Sequence, residues 1–266
     1  MNTSAQFDAW SAGRSYEQYM GRWSRRIAPK FLDWLGPPRD AAWVEIGSGT
    51  GALTSAILAA CEPRSILAID PSAGFIAHAQ GEISDDRARF EVANAAKLDL
   101  PDAEIDVVTS GLVVNFLPDR PAALAEMQRV LKPGGLLSFY VWDYPGGGMG
   151  FISAFWKVAT QLDQQAAELT EDKRFPFCTR DELAAMCGES GLSDVVVEPI
   201  EIETVFPDFE GFWEPFTLGA GPAPGYCSSL SDDHRAALKS RLAEKLGTDG
   251  PISLPARAWA VKARRP

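Results

Sequence analysis

Glu45, the glycines at 47, 49 and 51, and Asp70 are the residues of this 266-residue chain whose types and spacing could do chemistry. The three glycines fall within the five residues Gly47-Ser48-Gly49-Thr50-Gly51. An apolar stretch containing Val44 and Ile46 precedes them, and an Ala- and Leu-rich run from Ala52 to Ala60 follows. That order predicts a buried strand, a tight turn and a helix. Such a turn lets the backbone approach a ligand closely, and the start of the helix offers N–H groups to an anion. The run Gly47 to Ala52 also satisfies the G-x-G-x-x-G/A spacing of dinucleotide sites, so the glycines alone do not choose the ligand. Glu45 argues for another class. A carboxylate at the strand end would repel a pyrophosphate, but it suits a ligand carrying an ammonium group and a sulfonium. Asp70 closes a second predicted strand, Ser65 to Asp70, 19 residues past Gly51. That is near the spacing at which an acidic side chain takes ribose hydroxyls.

Glu45-x-Gly47-x-Gly49-x-Gly51 resembles the first motif of the class I S-adenosylmethionine-dependent methyltransferases. Val130-Leu131-Lys132-Pro133-Gly134-Gly135-Leu136-Leu137 resembles the tight helix-to-strand turn of the same family. The resemblance is strong over residues 40–142. The whole chain looks like the bacterial small-molecule methyltransferases related to ubiquinone and menaquinone biosynthesis (the methyltransferase type 11 group). It implies an α/β fold, a Rossmann-like doubly wound sheet of seven mostly parallel strands with helical and aromatic cap insertions. It also implies S-adenosylmethionine as cofactor and S-adenosylhomocysteine as product. The cofactor residues it implies are Glu45, Gly47, Ser48, Gly49, Gly51, Asp70, Pro71, Asn94, Ala95, Ser110 and Gly111. One departure stands out. The family usually has Asp-Ala after the third strand, where this chain has Asn94-Ala95. An Asn carbonyl can still accept from the adenine amino group, but its own amide adds a competing donor.

The elements expected around these residues set the organisation. The whole of 1–266 reads as one methyltransferase domain, with 40–142 as its cofactor-binding core. Residues 1–13 read as a loose arm. Apolar residues at Tyr16, Tyr19, Met20, Trp23, Ile27, Phe31, Trp34 and Leu35 step by threes and fours. They predict an amphipathic helical cover over 14–35, broken near Pro29. Strands are expected at Arg89–Ala93, Ile105–Ser110, Leu136–Trp142, Val195–Thr204 and Ala256–Ala263, with helices between them. The last two strands fit the family's antiparallel edge hairpin. Reaction centres of doubly wound sheets lie outside the carboxyl ends of the strands, which puts Ser110, Gly111 and Asn115 near the transferable methyl. Gly146, Gly147 and Gly148 read as a hinge. Segments 145–180 and 205–250 read as substrate cap elements, the second rich in Phe, Trp and Pro. Tyr19, Trp23, Asn115, Asp143, Tyr144, Trp213 and Phe216 are the substrate-pocket candidates.

Composition narrows the partners. Lys plus Arg number 25 and Asp plus Glu 36, a net charge of −11, which disfavours nucleic acid and anionic membranes. The four cysteines form no C-x-x-C pair and the two histidines lie far apart, so no metal site is expected. Thiols of this kind suit a reducing cytoplasm. No signal peptide is visible at the N-terminus, and no apolar run is long enough to span a membrane. The expected reaction is methyl transfer to a small, apolar or aromatic molecule. No side chain is assigned as a general base, and Asp143 and Tyr144 are the nearest titratable groups. A non-catalytic S-adenosylmethionine-binding protein and an NAD-dependent oxidoreductase are the alternatives. The second would need a Tyr–Lys pair or a metal, and neither spacing is present.

Overall fold

The computed structural model describes residues 16–219 and 221–266. The expected N-terminal arm, 1–13, and the start of the helical cover lie outside them. Seven strands form one sheet: β1 (Ala42–Ile46), β2 (Ser65–Asp70), β3 (Ala88–Val92), β4 (Ile105–Gly111), β5 (Leu131–Trp142), β6 (Ser193–Phe206) and β7 (Ile252–Arg264). Their order is β3-β2-β1-β4-β5-β7-β6. β1 pairs in parallel with β2 and β4, β2 with β3, and β4 with β5. β7 runs antiparallel to β5, from Leu136↔Arg264 to Trp142↔Ala258. The sheet is therefore mostly parallel, with its chain order reversing between β1 and β4.

The helices used below are α1 (Arg22–Leu35), α2 (Ala52–Ala60), α3 (Ala73–Glu82), α4 (Arg120–Val130), α5 (Gly150–Leu162), α6 (Arg180–Glu189), α7 (Pro222–Ser229) and α8 (Asp232–Leu246). The chain divides into two compact units. One comprises Trp23–Trp142, Cys178–Ile200 and Ala258–Pro266. The other comprises 16–22, Asp143–Phe177 and Glu201–Arg257.

In the first unit β1 is buried along its whole length, as a parallel strand covered on both faces must be. Side chains cap the helices around it. Ser72 Oγ accepts from Phe75 N at the start of α3, Asp119 accepts from Ala122 N at α4, and Thr179 from Glu182 N at α6. Two expectations need correcting. α1 runs unbroken through Pro29, because the buried stripe Trp23, Ile27, Phe31 and Leu35 outweighs one lost backbone hydrogen bond. β5 begins at Leu131 rather than Leu136. The Lys132-Pro133-Gly134-Gly135 turn forms an irregularity, with the register against β4 stepping from Ile105↔Leu131 to Val107↔Leu136.

The second unit is built on aromatic side chains. Phe216 stacks on Phe155 with ring centroids 4.5 Å apart and meets Tyr19, Phe151 and Phe212 at 5.6, 6.0 and 5.3 Å. Phe206 joins through Phe151 and Phe212. These rings are all fully buried or nearly so. Offset and edge-on pairs of this kind add to the burial of their area.

Candidate active site

The glycine turn of the first unit is held from below by β2. Gly47 N and Ser48 N both donate to Ile69 O, at 2.8 and 2.9 Å. Gly47, Gly49 and Gly51 have φ of +70°, +52° and +82°, a region that side-chain-bearing residues avoid. A Cβ on Gly47 would lie 2.5 Å from Val113 Cγ1, so that glycine is needed for packing as well. A Cβ on Gly49 would meet nothing within 4 Å. Gly49 thus faces open space at the start of the helix unit.

Asp70 is tied into this turn. Its Oδ2 accepts from Gly49 N at 3.0 Å and its Oδ1 from Ser72 N at 2.8 Å. The cap of α3 is Ser72, so Asp70 is not spent as a helix cap. Burial pushes its carboxyl up, against those two N–H groups, which pull it down. A carboxylate has about four acceptor sites, so capacity is left for ligand hydroxyls. Ser48 Oγ is buried and has no hydrogen-bond partner, and the same holds for Asn115 Nδ2. Buried polar atoms in that state are satisfied by a ligand or water.

Glu45 is also buried, at 1% exposure, and accepts from Thr54 Oγ1 of α2. Burial pushes its carboxyl up to about 8, the Thr54 hydroxyl lowering it and Asp70 raising it. Its environment therefore favours the protonated form more than that of an exposed glutamate does. Two other expected contacts have local hydrogen-bond partners. Ser110 Oγ donates to Ile46 O at 2.8 Å and joins β4 to β1. Asn94 Oδ1 accepts from Ala96 N at 2.9 Å in a local turn, leaving its amide to face solvent, while Ala95 is buried beside it. A Cβ on Gly111 would lie 2.7 Å from Tyr140 Oη, so close packing requires that glycine. Pro71 is exposed directly after Asp70.

The second unit holds a pocket of about 350 Å³. Tyr144, Met149, Ile152, Trp156 and Glu171 are among its lining residues, with Lys157, Asp172 and Lys173 also on it. Tyr144 is the only substrate-pocket candidate from the sequence that lines it. Trp213 and Phe216 are 6% and 0% exposed, and Phe216 belongs to the ring cluster. Tyr19 is buried with that cluster, and Trp23 packs within the first unit. Asp143 is ion-paired: its Oδ2 accepts from Arg257 Nε at 2.7 Å and also meets Nη2. Its Oδ1 accepts from Gly146 N at 2.9 Å. The glycine run is therefore a tied turn, with Gly147 N donating to Tyr144 O, Gly148 N to Asp143 O and Arg257 N to Gly148 O. Gly146 and Gly148 are glycines because a Cβ at either would strike Asp143 or Arg257 O.

Glu171 and Trp156 were not singled out in the sequence. Glu171 sits in a run of charges, Glu171-Asp172-Lys173-Arg174, that reads as a solvated face. Trp156 sits in the apolar stripe of α5. Among the described residues no cluster of His, Cys, Asp and Glu could hold a metal ion. No helix of the described residues is long and apolar enough to cross a membrane.

Comparison with known proteins gives the class. Residues 44–139 match the methyltransferase domain. A thiol S-methyltransferase of Rattus norvegicus is 30% identical over 149 residues, 54% of this chain and 59% of that protein, so the chain spans less than two thirds of that relative. Demethylmenaquinone methyltransferase of Bacillus licheniformis is 28% identical over 207 residues, 73% of this chain and 86% of that protein. Phosphoethanolamine N-methyltransferase 2 of Haemonchus contortus, solved with S-adenosyl-L-methionine, superposes with a TM-score of 0.58 at 16% identity, over 95% of this chain and 56% of that one. That last likeness is one of fold. The parallel sheet and its strand–glycine–helix unit define a Rossmann-like fold, and the matched domain lies within it. Residues 44–139 carry a methyltransferase domain, and the proteins this chain is similar to are methyltransferases.

Proposed function

We propose that this chain methylates a small acceptor with an apolar or aromatic body, with Asp70 and the Gly47–Gly51 turn as the cofactor's main hold. The observation that carries the reading is the Asp70 carboxylate, pinned by Gly49 N and Ser72 N beside the open space over Gly49. Two fixed N–H groups orient the carboxylate, so its remaining lone pairs are pre-aimed at ribose hydroxyls. Ser48 Oγ and Asn115 Nδ2 are buried donors in want of acceptors, and a ligand rich in oxygen and nitrogen would satisfy both. Asn94 and Ala95 stand at the end of β3, where the adenine would be read. Glu45, whose carboxyl burial pushes up, loses its proton more readily once a cation comes near.

The cofactor supplies a methyl group already activated on its sulfonium. What remains for the protein is placement and exclusion of water. No side chain is named as base. Asp143 is engaged by Arg257 and Gly146, which leaves Tyr144 as the titratable residue of the original pair that lines a pocket. The second unit holds a pocket of about 350 Å³, within the size range of small-molecule sites. The net charge of −11 argues against nucleic acid. All four cysteines are buried free thiols, which supports a reducing compartment such as the cytoplasm.

The test is a methyl-transfer assay with methyl-labelled S-adenosylmethionine across a small-molecule library, reading S-adenosylhomocysteine release. Turnover on one acceptor class, lost in Asp70→Ala, is the expected result. Tight cofactor binding without turnover on any compound would favour the non-catalytic alternative.

A further inference from the structure

Glu171 is out of place in a pocket of this kind. It lines the pocket yet is only 4% exposed. Trp156 Nε1 donates to its Oε2, and its own backbone N–H is a second neutral donor. Burying a carboxylate costs several kcal/mol unless a cation repays it. Arg174 lowers the Glu171 carboxyl and Asp172 raises it, and the Arg174 guanidinium lies 4.9 Å over the Phe175 ring. Burial dominates and pushes the carboxyl up to about 7. Tyr19 stands near it as well: Glu171 and Tyr144 both raise the buried Tyr19 hydroxyl. Lys157 and Lys173 also line the pocket, but both are exposed, so they act on a ligand through screened solvent. The wall thus sets one buried carboxyl and the buried ring of Trp156 beside the half-buried ring of Tyr144, a combination that attracts organic cations.

We propose that this pocket binds a small organic ammonium ion, its N–H donated to the Glu171 carboxylate and its apolar body set among Trp156, Tyr144, Met149 and Ile152. The inference goes beyond the proposed function: it gives the pocket of the second unit a ligand class of its own, an amine on a compact apolar or aromatic frame. Glu171 is the specificity determinant, because a neutral ligand leaves its desolvation unrepaid.

The experiment is isothermal titration of the full chain with benzylamine and with benzyl alcohol, which match in shape and differ in charge. Wild type should bind the amine about tenfold or more tightly than the alcohol, the size of one charge-assisted contact in a desolvated site. In Glu171→Gln the preference should vanish, with affinity for the alcohol nearly unchanged. Equal affinity of the two probes for wild type, no binding of either, or a preference that survives in Glu171→Gln each overturns the proposal. The wild-type comparison stands even if the variant fails to fold. Titration of the same wild-type sample with S-adenosylmethionine separates the two readings. Cofactor binding without amine preference ends this proposal alone, whereas loss of cofactor binding ends the methyltransferase reading.

Discussion

At the scale of single residues the two carboxyls of the first unit have different tasks. Asp70 is oriented by two backbone N–H groups and stays available to a ligand. Asp70→Ala should weaken S-adenosylmethionine by about ten- to a hundredfold, the value of charged hydrogen bonds worth about 1.5–3 kcal/mol. The same change frees Gly49 N and Ser72 N, whereas Asp70→Asn leaves one of them an acceptor and sets an amide donor against the other. It keeps an acceptor and should lose less affinity than Asp70→Ala. Calorimetry on both variants, with circular dichroism to check the fold, reads this out. Equal affinities in wild type and both variants would show that Asp70 only shapes the turn.

Glu45 makes a pH-dependent prediction. Its folded pKa of about 8 lies above the ordinary 4.5, so the folded chain keeps a proton that the unfolded chain has lost between those values. Stability must then fall as pH rises through that window. Glu171, pushed up to about 7, adds a slope of the same sign from 4.5 to about 7. Thermal unfolding should show a higher Tm near pH 5.5 than near pH 8, and Glu45→Gln should flatten the slope, most of all above pH 7. A Tm that rises over this range in wild type would contradict the burial of protonated carboxyls.

At the scale of elements the glycine turn separates packing from binding. Gly47→Ala puts a methyl against Val113 and strains φ, so it should destabilise the fold and abolish cofactor binding together. Gly49→Ala meets no neighbour and should cost only the left-handed strain, about 1–2 kcal/mol. Its Cβ stands where the cofactor is proposed to lie, so affinity should drop while the fold holds. Denaturant unfolding and calorimetry on both variants decide this. A Gly49→Ala protein that binds like wild type would move the cofactor away from that turn.

Much of this scale could be read from sequence. The strand–glycine–helix order is a local pattern, and it stands where spacing put it. The Glu171–Trp156 pair could not be read. The two residues lie 15 positions apart across two element boundaries, and neither helical period nor charge pattern records that contact. The hinge expected at Gly146–Gly148 is a tied turn for a similar reason: the Asp143–Arg257 pair that fixes it joins residues 114 positions apart.

At the scale of the whole molecule, the second unit is held by its rings. Phe216 is fully buried against four other rings, so Phe216→Ala should cost about 3–5 kcal/mol of stability in that unit. S-adenosylmethionine affinity should change far less, because the residues proposed to hold the cofactor belong to the other unit. Denaturant titration followed by calorimetry on the folded fraction measures both. A selective loss of activity with unchanged stability would mean that this ring serves the ligand rather than the core. The central claim is that the Gly47–Gly51 turn and Asp70 form an S-adenosylmethionine site rather than a dinucleotide site, and competitive calorimetry with S-adenosylmethionine and NADH on the full chain tests it most directly. The account predicts saturable one-site binding of S-adenosylmethionine that is weakened in Asp70→Ala, with NADH binding more weakly or not at all; tighter binding of NADH would contradict it.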